Sequence, residues 1–171
     1  MDFSEVIKKR QSIRVFKKEE INSDKLEEIL EAVNSAPSAG NLQAYKIYVV
    51  RKSEIKKKLT EASFDQDFIS EASIVLVFMA DSLRSARKYG ERGADLYSLQ
   101  DATIAATFAW LKAVDLGLAG CWVGAFNDEA VKKILEAPAD LKPAVILSIG
   151  SAVEEPLRAS RQSLKDIVHF L

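Results

Sequence analysis

Apolar residues fall along this 171-residue chain in two rhythms. Recurrence every three to four positions marks one face of a helix, and short runs rich in β-branched and aromatic residues mark strands. Phe3, Val6 and Ile7 predict a short helix over residues 2–9. Asn22-Ser23-Asp24 is an N-cap cluster, and Leu26, Ile29, Leu30 and Val33 form one face of a helix that ends near Ser35, where Pro37 stops it. Residues 36–43 hold turn formers and small polar groups and read as a loop. Tyr45 to Val50 reads as a strand, and Ser53 as the cap of a helix to about Ala62 with Ile55 and Leu59 inward. Residues 66–72 connect, anchored by Phe68 and Ile69. Ile74 to Met79 is apolar on both faces, the mark of a central strand covered on both sides. Asp81 and Ser82 cap a helix carrying Arg84, Arg87, Lys88 and Arg92, with a solvated basic side and breaks at Gly90 and Gly93.

Asp95 to Leu116 is expected to be the longest helix. Ala102, Ile104, Ala105, Ala106, Phe108, Ala109, Leu111, Ala113 and Val114 leave it almost no polar face, so it should be buried on all sides. In so small a protein that points to a central helix shared with a second subunit. Gly117 ends it as a left-handed cap. Ala119 to Val123 reads as a buried strand, residues 124–126 as a turn, and Asn127 as the cap of a helix to Leu135. Pro138 and Pro143 bound a loop, and Ala144 to Ile149 is another apolar strand closed by Gly150. The tail carries Leu164, Ile167, Val168 and Phe170, which need something to pack on. Helices and three or four strands without strict β-α-β alternation give an α+β fold, and no repeat or linker divides residues 1–171, which read as a single domain.

Composition narrows the function. Hydrophobic residues at 48% and charged residues at 29% describe a globular chain. A net charge of -1 offers no general attraction to nucleic acid or an anionic membrane, and the basic helix around Arg84–Arg92 lacks an aromatic stacking platform for nucleic acid. The apolar run from Ala102 to Leu111 is too short to span a bilayer. The acidic start, Met1-Asp2-Phe3-Ser4-Glu5, lacks the order of a signal peptide, and the single cysteine fits a reducing compartment, so a cytoplasmic protein is expected. One His, His169, makes a hydrolase triad or a His-rich metal site improbable, and Cys121 in Ala119-Gly120-Cys121-Trp122-Val123 reads as packed core. Gly117, Gly120 and Gly124 are spaced too widely for the dinucleotide fingerprint.

The chemistry centres on Lys9-Arg10-Gln11-Ser12-Ile13-Arg14-Val15-Phe16. Arg10 and Arg14 each offer a planar fork of donors suited to a phosphate, and Ser12 adds a hydroxyl. An extended segment would put Arg10, Ser12 and Arg14 on one face and Ile13 on the other, in a core. The plain reading of the segment alone is a solvated basic run after a helix.

Four segments together resemble the FMN-dependent nitroreductases. Arg10-Gln11-Ser12-Ile13-Arg14-Val15-Phe16 is similar to that family's Arg-x-Ser-x-Arg-x-Phe, Ala36-Pro37-Ser38-Ala39-Gly40-Asn41-Leu42-Gln43 to its Ala-Pro-Ser-x-x-Asn-x-Gln loop, and Gly117 to Phe126 to its Gly-Leu-Gly-x-x-Trp-x-Gly-x-Phe segment. Arg161 to His169 resembles its closing Arg-then-acidic-helix pattern. The resemblance runs the length of the chain. It departs at Ala159, where a basic residue is common in the family, and in the lack of the long insertion of larger members.

The resemblance implies a three-layer α/β/α sandwich around a mostly antiparallel sheet, with the long helix at the interface of a homodimer and two FMN sites between the subunits. It implies that Arg10 and Ser12 hold the phosphate or ribityl chain, that Gln11 lies alongside, and that Arg14 reaches the pyrimidine edge. Pro37, Ser38, Ala39 and Asn41 would come from the other subunit to line the ring. Gly124 and Ala125 would offer a backbone N–H to flavin N5, Gln66 would face the ring, and Arg161 with Arg158 would complete the phosphate clamp. The implied activity is ping-pong hydride transfer from NADH or NADPH through flavin N5 to a nitroaromatic, quinone or similar small acceptor, with no metal and no nucleic acid. Two alternatives stay open: other flavin chemistry on the same fold, such as dehalogenation or flavin breakdown, or flavin binding with little turnover.

Overall fold

The computed structural model of the chain describes residues 1–153 and 159–171. Four strands, β1 (Tyr45–Val50), β2 (Ile74–Asp81), β3 (Ala119–Val123) and β4 (Leu141–Gly150), form one sheet in the order β1-β2-β4-β3, with every neighbouring pair antiparallel. Period-two alternation along β2 sends Ile74, Leu76 and Phe78 to one face and Val75, Val77 and Met79 to the other, all six buried. On β4, Val145, Leu147 and Ile149 share the first face and Ile146 the second.

Helices cover both faces. The first is packed by α1 (Phe3–Lys9) through Val6, α2 (Ser23–Asn34) through Ile29 and Val33, and α6 (Ser98–Asp115) through its alanines. The second is packed by α3 (Ser53–Ala62), α4 (Phe68–Glu71) and α7 (Asp128–Ile134) through Leu59, Phe68, Ile69 and Val131. The expected three layers are therefore present. Asn22 and Asn127 cap α2 and α7 by accepting from the amides of Lys25 and Ala130, and Gly117 at φ 76° closes the end of α6. No helix among the described residues is long and apolar enough to cross a membrane.

Several expectations change. Ser53 is the first residue of α3, and Lys52 occupies the cap without a side-chain bond. β4 begins at Leu141, so Pro143 lies inside a strand. The register shifts there: Phe78 pairs with Val145 and Met79 with Pro143, leaving Ala144 as an extra residue, the kind of bulge that accommodates a proline lacking an N–H. In α5 (Ser82–Arg92) only Gly90 leaves helical geometry, at φ 60° and ψ -149°. Gly93 stays helical and allows close approach, since a Cβ there would lie 2.6 Å from the Ser85 carbonyl oxygen. A π-helical turn, Gly93–Tyr97, then leads into α6, which starts at Ser98 and not at Asp95.

The expectation of burial on every side of α6 fails within one chain. Ala102, Ala105, Ala106, Ala109 and Ala113 lie against the sheet, whereas Thr107 is exposed and Ile104, Phe108 and Leu111 are only half-buried. Small residues let the helix lie close to the strands, Trp110 and Val114 are buried with them, and Ile104, Phe108 and Leu111 are less covered. The tail, with α8 (Leu164–Ile167), is likewise uncovered, Leu164 being 74% and Phe170 96% exposed.

Asp101, on α6, organises the loop before β1. Its carboxylate is 2% exposed and accepts from the Ala39 amide at 2.8 Å and the Ala44 amide at 3.4 Å. Burial, together with the Asp101 charge, pushes the nearby Tyr45 phenol up. Between those anchors the backbone turns through the left-handed region at Gly40 (φ 55°), Asn41 (φ 57°) and Gln43 (φ 49°), with the Gln43 amide donating to Ser38 Oγ at 2.9 Å. Such strain persists only where surroundings over-determine it, and Asp101 is that surrounding. On the other side of the sheet Cys121 is buried as core, as expected. Burial pushes its thiol up, against the opposing influence of the Arg14 guanidinium and the Ser12 hydroxyl.

Asp101→Ala leaves two amides without their acceptor and should cost about 1–3 kcal/mol in urea unfolding, a penalty of the size found for orphaned buried donors. The Cys121 thiol should resist a disulfide reagent at pH 8 in the native protein and react fully in denaturant. Because its folded pKa lies above the unfolded one, its contribution to stability should be intact below about pH 8.5 and decline as pH rises beyond it.

Candidate active site

The basic segment leaves α1 at Arg10 and docks on the free edge of β3. Ser12 pairs with Gly120 in a single parallel bridge, and the Ile13 amide donates to the Gly120 carbonyl at 3.0 Å. The chain then crosses to the residues after β4. Phe16 bridges Ala152, the Lys17 amide donates to Ser151 O at 2.9 Å, and the Val153 amide donates to Val15 O at 3.1 Å. Ile13 and Phe16 are both buried, three residues apart, so the segment twists as it changes partner and strict alternation does not hold.

That twist overturns the expectation that Arg10, Ser12 and Arg14 share one face. The Arg10 guanidinium lies 4.5 Å from the centroid of the Trp110 ring on α6, and the Arg14 guanidinium lies 5.8 Å from the Phe68 ring on α4. The two cations thus rest on aromatic rings of opposite helical layers, with Ser12 beside Cys121 between them. Gln11 is half-buried in the same turn. Gly120 makes the arrangement possible: a Cβ there would stand 3.1 Å from Trp110 Nε1 and 2.9 Å from the Ser148 carbonyl oxygen. Trp110 therefore packs directly on the backbone of β3 and presents its ring to Arg10.

The turn after β3 belongs to the same edge. Gly124 and Ala125 are exposed, and Gln66 holds the turn, its Nε2 donating to the Ala125 carbonyl at 3.2 Å and to Ser63 O at 2.9 Å. Phe64 (φ 56°) and Asp65 (φ 58°) are left-handed just before Gln66, so backbone strain flanks this edge as it does the 36–43 loop. Gln66 lies two residues before Phe68, against which Arg14 rests. Arg10, Ser12, Arg14, Gln66, Gly124 and Ala125 are in this way joined through direct contacts and shared neighbours.

Pro37, Ser38, Ala39 and Asn41 are not brought to them. Pro37 and Asn41 are exposed at the tip of the loop before β1, at the opposite edge of the sheet. From β1 across β2 and β4 to β3 and the segment beyond is four strand spacings, about 19 Å. The loop also enters at Tyr45, paired with Ala80, whereas Gly120 pairs with Ile149 and Ile149 with Ile74, which displaces the two groups by a further ~20 Å along the strands. Arg161 is exposed in the irregular stretch before α8 and has no hydrogen-bond or ion-pair partner among the described residues. Arg158 lies outside the described residues.

Reading the sequence missed three participants. Neither Asp101 nor Trp110 stood out in the sequence, and the basic side of α5 read as solvated surface. In the fold, Arg84 Nε donates to the Leu42 carbonyl, and Lys88 Nζ and Tyr89 Oη close over Gly40, where a Cβ would lie 2.6 Å and 2.3 Å from them. The loop made of small residues was the available signal, since only glycine leaves room for two side-chain tips.

A model of the nitroreductase family matches residues 7–66 and 64–151. An NADH dehydrogenase of Thermus thermophilus is 30% identical over 187 residues, covering 94% of this chain and 91% of its own. An FMN reductase [NAD(P)H] of Bacillus subtilis is 31% identical over 182 residues, covering 97% and 73%. Among solved structures, an FMN-dependent nitroreductase of Clostridium difficile superposes with a TM-score of 0.83 at 29% identity over 96% of both chains. The match extends through the β3 edge, the loop before β1 and all four strands, and the chain belongs to the nitroreductase family.

Proposed function

We propose that the protein is an NAD(P)H-dependent, FMN-containing oxidoreductase, cytoplasmic and homodimeric, reducing a small acceptor such as a nitroaromatic or quinone. The single observation that carries this reading is the β3 edge of a nitroreductase-family chain. It gathers Arg10, Ser12 and Arg14 beside an exposed Gly124–Ala125 turn, and among the described residues no carboxylate pairs with Arg14. The donor set fits the group: guanidinium forks and a hydroxyl suit a phosphate and a sugar-like chain, and a second guanidinium suits the electron-rich edge of a flavin.

FMN, when bound, supplies the hydride chemistry between the nicotinamide donor and the acceptor. The chain supplies position and electrostatics. Arg10, held against Trp110, and Ser12 would hold the phosphate end, with Gln11 alongside, and Arg161 and Arg158 are assigned to the same phosphate. Arg14 favours negative charge at the pyrimidine edge, the kind of preorganised cation that stabilises charge as it develops. The Gly124–Ala125 backbone, steadied by Gln66, would offer an N–H to flavin N5. No side chain is assigned as a proton donor or acceptor, and donor and acceptor use the same slot in turn.

Pro37, Ser38, Ala39 and Asn41 serve the site of the second copy. Their separation from the basic segment within one chain supports this, as do the uncovered outer residues of α6 and the exposed tail of Leu164, Ile167, Val168 and Phe170. Uncovered apolar residues on two elements fit an interface with a second copy.

Arg10→Ala should weaken FMN retention about tenfold or more, the loss of a charge-assisted phosphate contact, measured by equilibrium dialysis. Arg14→Ala should instead retain flavin and slow its anaerobic reduction by NADH or NADPH about tenfold or more in stopped flow. Equal FMN binding and equal reduction rates in both variants would contradict these roles.

A further inference from the structure

Helix α5 turns a cationic face toward the loop that lines the site. Arg84 and Lys88 are one helical turn apart, and both meet the loop: Arg84 Nε bonds the Leu42 carbonyl, and Lys88 Nζ stands over Gly40. Gly40 is the residue between Ala39 and Asn41, so the Lys88 ammonium sits at the loop tip. Tyr89 Oη closes over the same glycine, and the Tyr89 ring meets Tyr97 edge-on with centroids 5.2 Å apart, fixing the end of α5 on the turn that follows it. Lys88 is exposed, and among the described residues no carboxylate lies within ion-pairing distance of it.

A cation placed there has a chemical counterpart. The electron donor must bring two or three phosphates to the site on every turnover, and the chain has no glycine fingerprint to hold them. We infer that Lys88, with Arg84 behind it, is a phosphate subsite for the nicotinamide dinucleotide, presented by the loop of one subunit at the mouth of the flavin site of the other. Lys88 is in this role a specificity residue for the donor. A lysine suits it as a mobile point charge that meets a phosphate on arrival and releases it with the spent dinucleotide.

The inference rests on the proposed placement of the loop at the partner's flavin, and its test separates the two. The FMN-loaded protein and its Lys88→Gln and Lys88→Glu variants are compared for flavin content and dimer mass, for equilibrium binding of ADP-ribose and of adenosine 2′,5′-bisphosphate, and for reduction by NADPH, NADH and phosphate-free N-benzyl-dihydronicotinamide. Flavin content and dimer mass should match the parent. Binding of at least one phosphate fragment should fall about tenfold in Lys88→Gln and further in Lys88→Glu, the worth of one charge-assisted contact. The kcat/KM of the dinucleotides should fall by the same factor relative to the phosphate-free donor. A loss confined to the 2′,5′-bisphosphate and NADPH assigns Lys88 to the 2′-phosphate, and a loss shared with ADP-ribose and NADH assigns it to the diphosphate. Unchanged fragment binding and an unchanged ratio of donors would overturn the inference while leaving the flavin reading standing. A parent protein that takes up no FMN would overturn the flavin reading itself.

Discussion

The structure is governed by a separation. One sheet edge carries the cations that suit a phosphate and a flavin pyrimidine, and the far edge carries the small-residue loop that suits a flat ring. Four strand spacings and most of a strand's length lie between them. No local adjustment of a packed four-stranded sheet closes such a gap, because a slip of one residue in register would turn every buried side chain of β2 to the wrong face. This separation is what the proposed dimer explains: a site completed by a second copy, with the outward residues of α6 and the uncovered tail as the apolar surface available for it.

Each half is held by a device that a sequence read locally does not reveal. On the β3 edge, the missing side chain of Gly120 lets Trp110 reach the backbone, and the ring of Trp110 then supports Arg10. At the far edge, one buried carboxylate, Asp101, accepts from two amides and keeps a left-handed stretch of loop from relaxing. Both devices come from α6. That helix spans the first face of the sheet with alanines toward the strands, and it reaches the loop with its first turn and the basic segment with its middle. The longest helix is therefore the element that sets the geometry at both edges of the sheet.

Much of this was legible in the sequence. The unbroken apolar run of β2, the asparagine caps of α2 and α7, and the glycine at the end of α6 are local signals, and each specified its element. The family followed from four segments in order. What stayed hidden depended on contacts distant in sequence. Pro143 looked like a boundary because the bulge that admits it is a property of the pairing with β2. Arg10 and Arg14 looked coplanar because period two presumes a single partner strand, whereas their segment changes partner between Ser12 and Phe16. The alternating apolar and small residues of α6 suggested burial on every side. A single chain buries the alanines with Trp110 and Val114, and it leaves Ile104, Phe108 and Leu111 only half-covered. The basic side of α5 looked like ordinary solvated charge until the fold set Lys88 over Gly40.

The account stands or falls on whether the two half-sites of one pocket come from different chains. The direct measurement is a hybrid: Arg10→Glu, which spoils the basic segment, is co-expressed with Ala39→Trp, which blocks the loop, and the mixed dimer is isolated by two affinity tags. Neither homodimer should hold FMN. The hybrid should hold one FMN per dimer, because one of its two pockets then contains both intact halves. A hybrid without flavin, from parents that each fold and dimerise, would show that each pocket is built within a single chain and would contradict the account.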